Sequence, residues 1–226
     1  SASTTMRRAR LFNAQLSIEE VREVEPHVGR RELHRELVVL EALREGDDSG
    51  SPIRVALFGS FYGGLTVLEE LMRLSPQVVV TGLATDDPRQ RYTRPGIRLW
   101  RYPHDPAEEE MVQRMGAAHG LEAYTGRINT HEFHRIFFEE WNPDLCLMAT
   151  FGQRIPEPIF RHPPLGFFNF HHSDAHWPSY PGPDPVAQMI RDRKRQIFLN
   201  LHRVTDTIDG GERIARSGPV PLLPWM

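Results

Sequence analysis

The amino-acid sequence predicts an α/β protein: an open, mostly parallel sheet with helices on both faces, preceded by a helical N-terminal arm. Two observations indicate this architecture. Over residues 51–226, short apolar runs typical of buried strands alternate with stretches of helical periodicity, and such alternation favours a parallel sheet. Residues 1–50 carry helical patterns instead. We therefore divide the chain into an arm and linker, residues 1–50, and a sheet domain, residues 51–226.

The arm contains two predicted helices. Ser17 and Glu20 fit a capping box at the start of the first helix, and Pro26 should interrupt it. The second helix is predicted between Arg31 and Glu45, where leucines recur at helical spacing and form an apolar stripe. A stripe of this kind packs against another surface. We expect the arm to cover an edge of the sheet domain or to form a homodimer contact through its helices.

Apolar runs in the sheet domain predict buried strands, and the segments between them predict helices. The predicted strands are Ile53–Phe58, Val78–Ala84, Asp144–Ala149, Gly166–Phe170 and Ile197–Val204. Helices are predicted over Leu65–Leu74, from Asp105 and Pro106 onward, and from Thr130 to about Trp141. Asp105 and Thr130 are suitable N-caps for the last two. Because ligands of such sheets bind at the carboxyl ends of the strands, polar residues that follow a strand are the candidate site.

Composition excludes several classes of protein. The 226 residues are 39% hydrophobic and 25% charged, a balance typical of globular domains with a sizeable core. The single cysteine, Cys146, excludes an internal disulfide framework and a multi-thiolate metal site. Apolar runs shorter than a spanning helix and the lack of a signal-peptide pattern predict a cytoplasmic protein without a membrane partner. The net charge of −3 argues against nucleic acid as a partner.

A polar cluster lies at the end of the fourth predicted strand. Asn169 and His171 are two residues apart in an extended chain, so their side chains point to the same side. His171, His172, His176 and Asp174 carry atoms that can bind a metal. The prolines that follow interrupt the helix needed to align His172 with His176, and we predict no metal site. A loop whose histidines bond locally, and a metal-dependent hydrolase, remain alternatives.

A glycine turn that carries carboxylates follows the fifth predicted strand. It lies within His202–Gly211 and contains Asp206 and Asp209, either of which could join Asn169 and His171 on chemistry alone. An amide, an imidazole and a carboxylate together can catalyse acyl transfer without a covalent nucleophile. The amide donates to a developing oxyanion, and the imidazole does likewise or protonates the leaving nitrogen. The carboxylate orients the imidazole and helps remove a proton from an attacking amine.

Motifs in this order resemble the folate-dependent formyltransferase family. Arg54–Gly59 is similar to the opening strand of that family, and Asn142–Pro156 to the strand and loop that receive the folate. Leu165–Ser173 and the later His202–Gly211 resemble the catalytic strand and turn, so that residues 53–216 are covered. The resemblance implies a Rossmann-like formyltransferase fold, 10-formyltetrahydrofolate as formyl donor, an amine acceptor and no metal.

The resemblance also implies roles for individual residues. Asn169, His171 and Asp209 match the catalytic residues of the family; Asp209 is preferred to Asp206 because the catalytic carboxylate immediately precedes the glycine of the turn. The donor-binding positions are Phe151, Arg154 and Ile155 in one loop and Val204, Thr205 and Asp206 in the other. The segment after His171 is longer than the family pattern and lies near the acceptor. It therefore predicts acceptor contacts for His176, Trp177 and Tyr180.

These features predict an N-formyltransferase that acts on the amine of a small molecule, such as a sugar nucleotide, an amino acid or a peptide. One alternative is a methionyl-tRNA formyltransferase without its C-terminal domain, since little sequence follows Val220. A formyltetrahydrofolate hydrolase, in which water replaces the amine, is a second. A non-catalytic folate-binding or scaffold module is a third.

Overall fold

A computed structural model describes residues 51–94, 98–101 and 104–222 of the chain. The predicted arm over residues 1–50, with its capping box, its leucine stripe and its homodimer contact, lies outside the described residues. The arm and the boundary between arm and sheet domain therefore stay predictions.

The described residues alternate between strands and helices, as the sequence predicts. The strands are β1 Ile53–Gly59, β2 Val78–Ala84, β3 Ala123–Tyr124, β4 Leu145–Ala149, β5 Gly166–Ser173, β6 Gln196–Arg203, β7 Arg213–Arg216 and β8 Val220–Pro221. The α-helices are α1 Phe61–Arg73, α2 Met111–Ala118, α3 His131–Arg135, α4 Glu157–Phe160 and α5 Pro185–Arg191. Leu99–Arg101 and Pro106–Glu108 form 3-10 turns, and a π-helical segment, Ile136–Trp141, continues α3.

The strands form one mostly parallel sheet in the order β3-β2-β1-β4-β5-β6-β7, with β8 paired to β6. Strands β1 to β5 pair in parallel, whereas β6 runs antiparallel to β5, and β7 and β8 run antiparallel to β6. The chain moves outward from β1 to β3 and then returns to place β4 beside β1. This reversal opens a crevice at the carboxyl ends of the central strands, which is where sheets of this kind bind ligands.

Helices cover both faces of the sheet, as predicted. Successive side chains of a strand point to opposite faces. Leu57 of β1 packs in the cluster that includes Leu68 of α1, and Phe58 packs in the cluster that includes Phe133 and Phe137. None of these side chains is exposed to solvent. The mostly parallel α/β fold is thereby confirmed for the described residues, none of whose helices has the length and hydrophobicity needed to cross a membrane.

Some element boundaries differ from the prediction. Strand β5 continues to Ser173, beyond the predicted end at Phe170, because antiparallel pairing with β6 extends to Ser173 opposite Phe198. Helix α1 begins at Phe61 and includes two glycines that the sequence favours in a turn. Gly64 is required there, since a Cβ atom would overlap the backbone of Gly59. Asp105 caps a 3-10 turn with a capping box, and α2 begins only afterwards.

Candidate active site

A cleft of about 380 Å³ opens at the carboxyl ends of β4 and β5. Two segments bound it, which we name the β4 loop, residues 150–155, and the β6 loop, residues 204–209. The predicted site residues that line the cleft are Phe151, Arg154, Ile155, Asn169, His171, Val204, Thr205 and Asp209. The structure therefore brings the three predicted catalytic residues and most of the predicted donor-binding residues to one cavity.

Asn169, His171 and Asp209 lie in contact at the wall of the cleft. Asn169 and His171 occupy alternate positions of β5, and both are more than 90% buried. The Nδ2 atom of Asn169 donates to Oδ1 of Asp209 at 3.0 Å. Oδ2 of Asp209 lies 3.6 Å from Nδ1 of His171 and accepts the backbone N–H of Gly182 at 2.9 Å. The carboxylate is thus held between the amide and the imidazole.

A second histidine contacts the Asn169 amide. His202 lies directly opposite Asn169 in the β5–β6 pairing. Its Nδ1 is 3.0 Å from the carbonyl oxygen of Arg203, which can only accept a hydrogen bond, so Nδ1 carries the proton. Its Nε2 lies 3.2 Å from Nδ2 of Asn169 and 3.5 Å from Oδ1 of Asp209. The Nδ2 group of Asn169 therefore contacts both Asp209 and His202.

His171 is arranged as a neutral imidazole with a free acceptor nitrogen. Its Nε2 lies 2.9 Å from the carbonyl oxygen of Tyr180, so Nε2 donates. Burial lowers the pKa of His171, outweighing the Asp209 charge and the Tyr180 carbonyl, both of which raise it. Neutral His171 then has a lone pair on Nδ1, which faces the Asp209 carboxylate. A proton placed on Nδ1 would be stabilised by that carboxylate.

Asp209 is held ionised in a strained turn. Burial would raise the pKa of its carboxyl group, but His202, His171 and the amide of Gly182 together lower it. Asp209 has a φ of 49°, in the left-handed region, as does Tyr180 at 53°. Such conformations cost about 1–3 kcal/mol in non-glycine residues and persist where surrounding contacts enforce them. Here the contacts to Asn169 and Gly182 hold the carboxylate at the cleft.

The β4 and β6 loops are joined across one end of the cleft. The guanidinium of Arg154 donates to the carbonyl oxygen of Asp206 at 3.0 Å. Ile155 is buried in the cluster that includes Phe58, and the Phe151 ring lies 5.5 Å from the Phe58 ring. Asp206 itself is exposed and contributes its backbone to this bridge. The loops therefore offer apolar walls and polar backbone groups, which suits a flat heteroaromatic ring such as a pterin.

The three predicted acceptor residues lie at the rim rather than in the lining of the cleft. The His176 side chain is 88% exposed. Trp177 is half-buried; its ring lies 4.9 Å from that of His202, and its Nε1 donates to the carbonyl oxygen of Gly211. Tyr180 contributes its carbonyl to His171, while its hydroxyl donates to Asp192. Trp177 and Tyr180 thus contact the polar cluster, and His176 faces solvent.

Two site components were not predicted from the sequence. The sequence places His202 only at the start of the turn motif. Pairing of β5 with β6 sets it directly opposite Asn169, on the same face of the sheet, and this pairing is the signal that could have found it. The Gly182 amide contact could not be inferred, because it depends on the path of the loop between β5 and α5. Among the described residues, no group of three or more His, Cys, Asp and Glu side chains is placed to hold a metal ion.

Comparison with known proteins identifies the family. The family model described as formyl transferase matches residues 107–221, over half of the chain. A methionyl-tRNA formyltransferase from Thermus thermophilus is 28% identical over 172 residues, covering 76% of this chain and 51% of that protein. A methionyl-tRNA formyltransferase from Dictyoglomus turgidum is 26% identical, with 76% and 50% coverage. The chain thus spans about half the length of these curated relatives.

Solved structures share the fold. Glycinamide ribonucleotide transformylase 1 from Geobacillus kaustophilus superimposes with a TM-score of 0.57 at 20% identity, over 76% of this chain and 85% of that chain. A formyltetrahydrofolate deformylase from Pseudomonas syringae pv. tomato has a TM-score of 0.55 at 18% identity, over 78% and 53%. At these identities the likeness establishes the fold alone. The family is established by the match over residues 107–221: the chain belongs to the formyl transferase family.

Proposed function

We propose that this protein is an N-formyltransferase that moves a formyl group from 10-formyltetrahydrofolate to the amine of a small molecule. The observation that carries the proposal is the contact of Asn169, His171 and Asp209 at the wall of a cleft bounded by two loops. This set of groups suits acyl transfer to nitrogen. Membership of the formyl transferase family supports the choice of donor and of reaction.

The reaction requires stabilisation of an oxyanion. The acceptor amine attacks the formyl carbon, a carbon–nitrogen bond forms, and the formyl oxygen becomes negatively charged. The Nδ2 group of Asn169 lies at the cleft wall in contact with Asp209 and His202, and one of its two N–H groups would turn from these partners toward the oxyanion. An oxyanion donor is worth about 10²–10³ in rate. When the tetrahedral intermediate collapses, the bond to N10 of the folate breaks and the formylated amine remains.

The attacking nitrogen must also lose a proton. The candidate proton acceptors at the cleft wall are Nδ1 of His171 and the Asp209 carboxylate, which lie 3.6 Å apart. Proton transfer to Nδ1 creates an imidazolium whose charge is balanced by Asp209 and whose Nε2–H still donates to the Tyr180 carbonyl. The same proton is then available to N10 as it leaves. His171 thus serves as base and then as acid, with Asp209 stabilising the charged form.

The donor would be held between the β4 and β6 loops. The pterin ring would lie against Phe151, Ile155 and Val204, and the backbone groups of the two loops would fix its polar edge. The Arg154–Asp206 bridge would keep the loops at the correct separation. This arrangement directs the formyl group toward Asn169 and His171.

A turnover screen tests this function. The protein is incubated with 10-formyltetrahydrofolate and a panel of amines, namely amino sugar nucleotides, amino acids, peptides and aminoacyl-tRNA, and products are identified by mass. We expect one small amine to be formylated as the donor is consumed. Consumption of donor with release of formate, independent of any amine, would identify a hydrolase and contradict the proposal.

Aminoacyl-tRNA is the second candidate acceptor, because the curated relatives are methionyl-tRNA formyltransferases. The two candidates differ in salt dependence, since binding of a polyanion weakens steeply as salt is added. Formylation of aminoacyl-tRNA with a strong salt dependence, and of no small amine, would favour the second candidate.

Replacing Trp177 by alanine should change the use of the acceptor more than that of the donor. The indole packs beside His202 and is tied to Gly211 at the rim, and its loss removes a large contact surface. We expect kcat/KM for the acceptor to fall by about 10- to 100-fold, chiefly through KM, with donor affinity unchanged. Steady-state kinetics with each substrate varied in turn measure this. Unaltered acceptor kinetics would remove Trp177 from the acceptor site.

A further inference from the structure

A buried carboxylate lies behind the β4 loop. Asp86 follows the carboxyl end of β2 and is fully buried. Its Oδ2 accepts the backbone N–H of Gly152 at 2.7 Å and the hydroxyl of Ser60 at 3.0 Å. The backbone N–H of Asp86 donates in turn to Ser60 Oγ. One side chain therefore joins the carboxyl ends of β2, β1 and β4 at the point where the cleft opens.

The second residue of this attachment is Gln153. Its Nε2 donates to the carbonyl oxygen of Gly126 at 3.0 Å, and its Oε1 accepts the backbone N–H of Ile128 at 3.1 Å. The β4 loop is thus anchored at two consecutive residues, by its backbone to Asp86 and by a side chain to the segment between β3 and α3. The next two residues, Arg154 and Ile155, line the cleft. Their position follows from the two anchors.

The Asp86 anchor is tightly packed and incompletely satisfied. A Cβ atom on Gly152 would lie 3.2 Å from Oδ1 of Asp86 and 3.3 Å from the side chain of Leu99. Oδ1 of Asp86 and Oε1 of Gln90 are buried and have no hydrogen-bond partner among the described residues. Retaining an under-satisfied buried carboxylate is costly, and packing alone would be served by an apolar residue.

We propose that Asp86 is a positioning residue for the formyl donor: by holding the Gly152 amide, it sets where Arg154 and Ile155 meet the pterin. This inference rests on the proposed function. Asp86 acts on donor affinity and takes no part in the chemical step, because the carboxylate contacts the loop from behind and is not among the residues that line the cleft.

The ionisation of Asp86 gives this role a pH signature. Burial raises its pKa to about 6, although the hydrogen bonds from Gly152 and Ser60 lower it. The groups that face Asp86 are Ser60 at the start of α1, Gly152 and Gln153 of the β4 loop, and Gln90 and Tyr92 of its own segment. Of these groups only Tyr92 titrates, and burial raises its pKa above the usual value for tyrosine. The ionised carboxylate is the stronger acceptor, so donor affinity should fall as the pH drops through about 6.

Asp86→Asn separates the titration from the shape of the side chain. Asparagine keeps an acceptor oxygen for Gly152 but stays neutral at every pH. Because a raised carboxyl pKa means that folding favours the neutral form, the variant should be at least as stable as the wild type at neutral pH. Asp87→Asn is the matched control, since Asp87 is the adjacent carboxylate on the same turn and pairs with Arg89.

The test is calorimetric titration with a stable 10-formyltetrahydrofolate analogue between about pH 5 and 7.5, combined with hydrogen exchange of residues 150–155. We expect wild-type affinity to fall by about three- to tenfold from pH 7 to pH 5. Asp86→Asn should bind roughly tenfold more weakly than wild type at pH 7, with a flat pH profile and faster exchange in the loop. Asp87→Asn should follow the wild type.

Donor affinity and loop exchange together show whether the inference about Asp86 or the proposed function has failed. If Asp86→Asn shares the affinity and pH profile of the wild type, or if loop exchange is unchanged by the substitution, Asp86 does not position the loop. If the wild type binds no analogue at any pH while loop exchange depends on Asp86, the proposed function fails, and the inference about the donor fails with it.

Discussion

Replacing Asp209 by asparagine is expected to lower kcat for formyl transfer by about three orders of magnitude, as for a charged group that acts only in the transition state. Asp209 balances the positive charge that His171 acquires when it takes the proton of the attacking amine. Asparagine has nearly the same shape and can still accept the Gly182 amide, but it carries no charge. The imidazolium then forms in a buried site without its counterion.

The variant should nevertheless fold and bind the donor. Single-turnover kinetics isolate the chemical step, and titration of the donor analogue together with thermal unfolding checks the site. We expect donor affinity within about threefold of the wild type, because Asp209 supports the reaction and not the pterin. Wild-type turnover from Asp209→Asn would contradict the assignment of Asp209 as a catalytic residue.

Replacing His171 by alanine is the second large effect, with an expected loss of about 10²–10⁴ in the chemical rate, the range for a general acid–base group. The imidazole is the group at the cleft wall with a free acceptor nitrogen facing a carboxylate. Its removal leaves only the Asp209 carboxylate to accept the amine proton and removes the group that returns a proton to the leaving nitrogen. Added imidazole should restore part of the rate if it can enter the space left by the side chain.

The pH profile distinguishes a chemical role for His171 from a packing role. Burial lowers the pKa of this histidine, so the neutral, proton-accepting form is present at neutral pH and is lost as the pH falls through that lowered pKa. The wild-type rate should therefore decline on the acid side, and this decline should disappear in His171→Ala. His131→Ala, at an exposed position on the first turn of α3, is the matched control and should resemble the wild type. An acid limb that persists in His171→Ala would assign the titration to another group.

Patterns within single elements could be predicted from the sequence. Strand β4, and strand β1 from Val55 onward, are continuous apolar runs, because helices cover both faces of the sheet. Asn169 and His171 were predicted on one side of a strand from their spacing alone, and the structure places them so. The choice of Asp209 over Asp206 came from resemblance, and the structure puts Asp209 beside both of them.

Features that depend on tertiary contacts could not be predicted. His202 contacts Asn169 only through the antiparallel register of β5 and β6. The contact between Asp86 and Gly152 joins two residues that are 66 positions apart in the sequence. The short strands β3 and β8 have two residues each, too few to produce a periodic pattern. His176 is exposed because its loop places it outward, a property that residue type does not encode.

The most direct test of a folate-dependent site is calorimetric titration of the wild type with a stable 10-formyltetrahydrofolate analogue in the presence of a chelator, compared with Arg154→Glu. Glutamate reverses the charge that bridges the β4 and β6 loops. Arg135→Glu, which alters an exposed arginine paired with Glu140, is the control. We predict saturable one-site binding that Arg154→Glu weakens by about tenfold or more and that the control leaves unchanged. No heat and no thermal stabilisation of the wild type at high ligand concentration would contradict the donor site and, with it, the proposed transferase.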